Sequence, residues 1–126
     1  MRFSVVIPNY NNIKWWERMI KSIEVQTYKD YEVIIVDDIS TDGSYEAIRD
    51  YLVKKSINWH LYQNETKRLN GGTRNVGVAK ATGDYIVFMD CDDYFYTNYA
   101  LESIAKENAE RREKFDETVE DLKKAL

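Results

Sequence analysis

The sequence is poor in cysteine, in long apolar runs and in excess positive charge, and each scarcity excludes a class of protein. Cys91 is the single cysteine, which excludes an intrachain disulfide and is typical of a reducing compartment. The longest apolar run is five residues, 85–89, too short for a membrane-spanning helix or the core of a signal peptide. With 18 basic and 22 acidic residues and a net charge of −4, a general nucleic-acid binder is disfavoured.

What is present is sufficient for one folded domain. The chain has 126 residues, of which 44% are hydrophobic, so that a single core can form. The sequence contains no internal repeat and no low-complexity linker. It therefore predicts a small soluble protein without a membrane span, located in the cytoplasm.

The charged residues divide the chain near residue 100. The segment 102–126 contains eight acidic and six basic residues but only one of the 17 aromatic residues. We therefore predict a globular domain over residues 1–100 and a helical extension over residues 101–126. Apolar residues at helical spacing along the extension form a stripe that is compatible with a homo-oligomer assembled through this helix. They are Leu101, Phe115, Val119, Leu122 and Leu126.

Short β-branched runs alternate with amphipathic segments through the first 100 residues. This order, βαβαβαβ, predicts an α/β fold with right-handed crossovers and a mainly parallel sheet between flanking helices. A long charged C-terminal helix follows it. The predicted strands cover residues 3–7, 31–36, 57–62 and 85–89.

Turn and cap residues predict where the first elements begin and end. Pro8 should end the first strand because it cannot donate to a strand ladder. Asn11 or Asn12 should cap a first helix that buries Trp15 on its apolar face. The segment 40–43, Ser-Thr-Asp-Gly, is typical of a turn that opens a second helix.

A third helix is predicted over residues 73–81, with Gly83 as its left-handed stop. Gly71 and Gly72 would then precede the helix. Glycines at that position let backbone N–H groups approach an anion, and Arg74 would add a positive charge beside it.

Acidic residues follow two of the predicted strands. Asp37 and Asp38 follow the second strand, and Asp-Cys-Asp-Asp at 90–93 follows the fourth. Because ligands of parallel sheets lie beyond the carboxyl ends of the strands, these carboxylates should meet there. They would repel each other unless a cation such as Mg²⁺ or Mn²⁺, or a set of donors, neutralises them. The alternative is that they only form turns, but two such clusters favour a metal and diphosphate site.

Three longer stretches resemble a known family. Residues 3–11, FSVVIPNYN, and 22–44, SIEVQTYKDYEVIIVDDISTDGS, resemble the opening of family 2 glycosyltransferases with the GT-A fold. Residues 73–93, TRNVGVAKATGDYIVFMDCDD, resemble the stretch that leads into the DxD motif of that family. The resemblance implies a Rossmann-like GT-A fold. It also implies transfer of a sugar, with inversion, from a nucleotide-diphospho-sugar, a UDP-sugar foremost, to an unknown glycan or other acceptor.

The resemblance also implies a nucleotide pocket. Pro8, Asn9 and Tyr10 would line it. Either Asp37 or Asp38 would hydrogen-bond the base, and the resemblance leaves the choice between them open.

The resemblance implies a metal site at the end of the fourth strand. Asp90 and Asp92 match the two DxD carboxylates, one near the ribose and one on an Mn²⁺ or Mg²⁺ ion that bridges the donor diphosphate. Arg74 would lie near the nucleotide. Cys91 stands at the variable middle position of the motif.

The chain departs from the family pattern in two ways. Ile39 stands where the family usually has glycine, so the turn there must avoid positive φ or be strained. The acceptor side and the general base of the family are not evident after residue 93, so the catalytic residues stay unknown. The alternative function is therefore a non-catalytic nucleotide-binding or helix-mediated assembly module.

Overall fold

The hydrophobic runs form a four-stranded parallel sheet with helices packed on it. The computed structural model describes residues 1–55 and 58–125. Strands and helices alternate as β1 Phe3–Asn9, α1 Trp16–Glu24, β2 Tyr31–Asp37, α2 Ser44–Val53, β3 Trp59–Gln63, α3 Leu69–Lys80, β4 Tyr85–Phe88 and α4 Ala100–Ala125. The predicted α/β class, parallel sheet and long C-terminal helix are confirmed.

The strand order β3-β2-β1-β4 places β1 and β2 at the centre of the sheet. Alternate residues of these strands face opposite sides. On one side, Val5 and Val33 pack with α1 and α2. On the other side, α3 approaches Val6 and Val36 at Gly77. Both faces of β1 and β2 are therefore covered, which explains their nearly continuous apolar sequences.

Pro8 does not end β1, and this prediction was wrong. It lies inside the strand, opposite Val36. The backbone carbonyl of Val6 points towards β4 and accepts the N–H of Met89. Backbone polar groups two residues apart in a strand point towards the same neighbouring strand, so the backbone nitrogen of Pro8 also lies on the β4 side. The pairing of β1 with β4 stops at Val6 and Phe88. The missing N–H of Pro8 therefore costs no ladder hydrogen bond.

The third helix begins four residues earlier than predicted, at Leu69. Gly71 and Gly72 lie in its first turn and not before it. The helix ends where Ala81 becomes extended, with a ψ of 138°, and Gly83 has no positive φ. Gly83 is needed for a different reason, because a Cβ there would come within 2.8 Å of the backbone N of Ser4.

The first helix has no side-chain cap, contrary to prediction. Its N-cap residue is Trp15, which is 45% exposed and so does not join the core. The backbone carbonyl of Asn12 accepts the N–H groups of Trp15 and Trp16. The side chain of Asn12 is left to bond elsewhere.

The second helix opens from the predicted 40–43 turn, with Gly43 at a φ of 87°. The third strand begins at Trp59; the predicted start at Ile57 lies outside the described residues. The fourth strand forms an edge of the sheet and exposes Tyr85 and Phe88. The edge position leaves one side of β4 open.

The long helix α4 is mostly exposed. Leu101 is buried at its start, whereas Phe115 and Leu122 of the predicted stripe are exposed. Leu126, at the end of that stripe, lies outside the described residues. None of the helices in residues 1–55 and 58–125 is long and apolar enough to cross a membrane. The division into domains at residue 100 stays a prediction.

Close packing of α3 on the sheet gives a stability prediction. A Cβ on Gly77 would lie 2.4 Å from Cγ1 of Val6, so Gly77→Ala must displace the helix or the strand. We expect a loss of about 1–3 kcal/mol in the free energy of unfolding, measured by urea denaturation. Gly71→Ala is the matched control in the same helix, where a Cβ meets nothing within 4 Å. It should gain stability, and equal losses in both variants would contradict close packing.

Candidate functional site

A cavity of about 530 Å³ opens at the carboxyl ends of β1, β2 and β4. Its walls come from the residues after β1, from the end of β2, from the start of α3 and from residues 90–93. We call residues 90–93 the 90–93 loop. Parallel strands bring these segments to one edge of the sheet, as predicted. Six of the eight predicted site residues line it: Pro8, Asn9, Tyr10, Asp38, Asp90 and Asp92.

Asp37 is fully buried and lies outside the cavity wall. Its carboxylate accepts hydrogen bonds from Asn9 Nδ2 at 2.8 Å and Gln63 Nε2 at 3.1 Å. It also accepts the backbone N–H of Ser40 at 2.9 Å and the Ser40 hydroxyl at 2.6 Å. A carboxylate has about four acceptor positions, and here all are used. Asp37 therefore ties together the ends of β1, β2 and β3.

Asp38 is buried too, but it faces the cavity. Its oxygens accept the backbone N–H groups of Arg68 and Leu69, each at 2.8 Å, and Asn64 Nδ2 at 3.1 Å. Burial raises the pKa of Asp38, but these donors and the Lys67 ammonium outweigh it and hold the pKa below the ordinary value. Asp38 thus anchors the positive end of α3. Three of its roughly four acceptor positions are occupied, which leaves one for a ligand.

Non-glycine residues with positive φ cluster at this site. They are Asn11 at 48°, Ile39 at 60° and Leu69 at 63°. Asn11 and Leu69 line the cavity, and Ile39 directly follows Asp38. Strain of this kind persists where surrounding contacts fix the backbone, and it is concentrated at functional sites. The strain expected for Ile39 from its sequence is therefore present.

Asn9 leaves one polar atom without a partner. Its side chain is buried in the cavity wall, and Nδ2 donates to Asp37 and, at 3.4 Å, to Ser44 Oγ. Oδ1 is buried without a hydrogen-bond partner among the described residues. A buried acceptor left unpaired costs about 1–3 kcal/mol.

Arg74 contacts the acidic end of β4. Its guanidinium lies 2.7 Å from Asp90 Oδ1, and its Nε is buried without a partner among the described residues. The sequence predicted Arg74 at the start of the third helix. In the structure it lies one turn inside α3, which begins at Leu69. The structure brings Arg74 to Asp90, which lines the cavity, although Arg74 itself does not line it.

Sequence reasoning missed Lys67. Its ammonium lies 3.1 Å from the centre of the Tyr10 ring and 4.0 Å from Asp38 Oδ2. An ammonium over an aromatic face is attracted by the negative charge of the ring. No spacing signal marks this lysine, because it stands in a polar loop whose path is set by Asp38.

The 90–93 loop is a tight turn in which the Asp93 N–H donates to the Asp90 carbonyl at 3.0 Å. Asn12 Nδ2 donates to the Cys91 carbonyl. Burial raises the pKa of the Cys91 thiol, and the nearby Asp92 adds to this. The thiol therefore stays protonated at neutral pH, which agrees with a filling and not a nucleophilic role.

The 90–93 loop contributes two acidic residues to the cavity wall, Asp90 and Asp92. Within the described residues no group of three or more histidine, cysteine or acidic side chains is arranged around a metal position. Mg²⁺ is commonly bound through one or two carboxylates, with water and substrate phosphates completing the coordination. Asp90 and Asp92 both line the cavity, so the chemistry of these two side chains suits such a cation.

The family model for glycosyl transferase family 2 matches residues 4–114. The chain belongs to this family. It is 41% identical over 95 residues to an uncharacterized glycosyltransferase of Rickettsia conorii. The aligned region covers 75% of this chain and 15% of that protein. The chain thus spans about 15% of the length of that relative. The family match runs past the predicted boundary at residue 100.

Solved structures agree with this assignment and show the GT-A fold. Staphylococcus aureus TarS in complex with UDP-GlcNAc superposes with a TM-score of 0.76 at 33% identity, over 84% of this chain and 30% of that chain. The mannosyltransferase PcManGT from Pyrobaculum calidifontis, in complex with GDP-Man and Mn²⁺, gives a TM-score of 0.72 at 28% identity, over 77% and 29%. The predicted family and GT-A fold are confirmed.

The positive φ of Ile39 generates a stability prediction. Both Ile39→Gly and Ile39→Ala remove the atoms of the isoleucine side chain beyond Cβ. Only glycine, which has no Cβ, removes the backbone strain at a φ of 60°. We expect Ile39→Gly to be the more stable variant by about 1 kcal/mol. Chemical denaturation of the two variants measures this difference directly. Equal stability would show that the turn relaxes without strain.

The donors around Asp38 generate a pH prediction. The Asp38→Asn variant loses the negative charge, and its amide N–H group points at a backbone N–H group. We therefore expect the free energy of unfolding to fall by about 1.5–3 kcal/mol at pH 7. Because the folded pKa of Asp38 is lowered, its contribution is present above the ordinary pKa and is lost as pH falls through the folded pKa. The stability difference between wild type and variant should therefore shrink in acid.

Denaturation curves recorded from pH 7 down to pH 3 follow that difference. Asp50→Asn is the control, since Asp50 is exposed on α2 and should change stability by less than about 0.5 kcal/mol. A difference that stays constant down to pH 3 would contradict the anchoring role of the Asp38 charge.

Proposed function

We propose that the cavity binds the nucleoside diphosphate part of a nucleotide-diphospho-sugar, a UDP-sugar foremost, as the donor site of a glycosyltransferase. The observation that carries this proposal is the composition of one cavity wall in a member of glycosyl transferase family 2. Tyr10 offers an aromatic face, Asp38 a buried acceptor, and Asp90 and Asp92 two carboxylates. These are the groups needed by a base, a ribose and a metal-bound diphosphate. The relatives TarS and PcManGT are solved with UDP-GlcNAc and with GDP-Man and Mn²⁺.

Different residues of the chain would contact different parts of the nucleotide. A base would stack on the ring of Tyr10 in place of the Lys67 ammonium, and a base N–H would donate to Asp38. We choose Asp38 over Asp37 because the acceptor positions of Asp37 are filled. Asn9 would line the pocket beside Tyr10 and Asp38.

The diphosphate would lie against the 90–93 loop. Asp92, with Asp90 beside it, would hold Mn²⁺ or Mg²⁺. The bound metal offsets the negative charge that builds on the leaving diphosphate as the glycosyl bond breaks. Asp90 would also contact the ribose, which requires Arg74 to share or release the carboxylate it now holds at 2.7 Å.

Transfer further requires an acceptor hydroxyl and a group that removes its proton. We assign no residue of this chain to that step. Inverting transfer by direct displacement, to an unknown glycan or other acceptor, is therefore part of the proposal only for the whole protein. A cytoplasmic location, suggested by the single cysteine, also belongs to the proposal.

A non-catalytic function for this chain is the second candidate. It is favoured by α4, which leaves Phe115 and Leu122 exposed on a helix of 26 residues. Such a face is available to a helix of a second copy. On this alternative the cavity binds a nucleotide and the helix assembles the protein.

Calorimetric titration with UDP tests the donor site. We expect UDP to bind in the presence of Mn²⁺ and the affinity to fall at least about tenfold in Asp92→Asn, because a metal ligand is lost. Binding without metal should change little. Asp93→Asn is the matched control: it removes a neighbouring charge, and its side chain can still accept the N–H of Tyr94.

Titration with GDP in parallel distinguishes the base. Absence of binding by UDP and GDP alike, or equal metal-dependent affinity in Asp92→Asn and wild type, would contradict the proposal. UDP binding together with a failure to hydrolyse or transfer the sugar of any donor tested would favour the non-catalytic alternative.

A further inference from the structure

The 90–93 loop and Phe95, which follows it, are hydrogen-bonded to one face of α1. Arg18 donates from its guanidinium to the backbone carbonyl of Asp92 at 2.9 Å. One turn further along α1, Ser22 Oγ accepts the N–H of Phe95 at 3.1 Å. Residues four apart lie on the same face of a helix. The position of the loop is therefore set by a helix distant from it in sequence.

Arg18 is itself held between two aromatic rings. The guanidinium carbon lies 4.6 Å from the centre of the Trp15 ring and 4.2 Å from the centre of the Tyr94 ring. Tyr94 in turn makes an edge contact with Tyr96 at 4.8 Å. A planar guanidinium stacks on aromatic faces, and this fixes the direction in which its N–H groups point. The hydrogen bond to Asp92 is thus made by a donor with little freedom to move.

The bonded carbonyl belongs to Asp92, which itself lines the cavity. A hydrogen bond at the Asp92 carbonyl limits rotation of the adjoining peptide planes and hence the path of the Asp92 side chain. Asn12 binds the carbonyl of the preceding residue, Cys91. Two consecutive carbonyls are therefore held from the α1 side, while Arg18 lies outside the cavity wall.

We propose that Arg18 is a positioning residue, which holds the 90–93 loop so that the Asp92 carboxylate is placed for the cation of the donor complex. This inference rests on the proposed function. It assigns to the stack of Trp15, Arg18 and Tyr94 a role in metal-dependent binding without any contact of Arg18 with the metal or the nucleotide. Groups that orient metal ligands affect affinity in this indirect way.

Hydrogen exchange on the ligand-free protein tests the holding role by itself. In Arg18→Gln we expect faster exchange of the Asp93 amide, which bonds the Asp90 carbonyl in the turn. Arg49→Gln is the matched control, because Arg49 is also exposed beside a tyrosine ring, Tyr45 at 5.9 Å, but lies on α2. The control should leave exchange in the loop unchanged. Thermal unfolding of both variants verifies that they fold.

Titration with UDP, with and without Mn²⁺, tests the consequence. In Arg18→Gln we expect the affinity gained from Mn²⁺ to fall at least about tenfold, with UDP binding in the absence of metal changed less than about twofold. Arg18→Lys keeps the positive charge but loses the planar stack, so it should resemble Arg18→Gln. Arg49→Gln should match wild type in both titrations.

The outcomes separate this inference from the function on which it rests. If wild type fails to bind UDP, the proposed function is overturned, and the exchange experiment alone decides whether Arg18 holds the loop. If wild type binds UDP with Mn²⁺, an unchanged metal dependence in Arg18→Gln overturns the inference. Full recovery in Arg18→Lys overturns the role given to the stack, because a donor without a planar guanidinium would then be sufficient. Faster exchange together with a lost metal dependence supports it.

Discussion

The buried aspartate pair at the end of β2 is the constraint on which the rest of the site depends. Two adjacent carboxylates inside a protein repel each other and lose hydration unless donors surround them. Asp37 takes its donors from β1, β3 and the following turn, and Asp38 takes its donors from the start of α3. The strand ends and the helix must therefore meet at this place. The cavity is the space that these obligatory contacts leave open.

The sheet and most of the cavity wall could be predicted from the sequence, for a simple physical reason. Strands buried on both faces have continuous apolar sequences, and parallel strands bring their following residues to one edge. Tyr10, Asp38 and Asp92 are near one another for that reason alone. The strand ends were less predictable, as Pro8 shows: it lies within β1 because β4 stops before reaching it.

The parts that sequence reasoning missed depend on contacts between residues far apart in the chain. The start of α3 at Leu69 is determined by Asp38, 31 residues away, and no local cap residue announces it. Nothing in the sequence distinguishes Arg18 from the other charged residues of α1. Its contact with Asp92, 74 residues away, exists only after the sheet has brought α1 and the end of β4 together.

The ammonium of Lys67 lies over one face of the Tyr10 ring and 4.0 Å from Asp38 Oδ2, so it covers that face of the ring. A flat ligand that stacked on this face would have to displace the ammonium, so its measured affinity would be the difference between two aromatic contacts. The displaced ammonium keeps its charge and its short tether beside the cavity. An anionic ligand that entered there would meet a positive group freed from the ring, and salt would weaken both the contact that is lost and the contact that is gained.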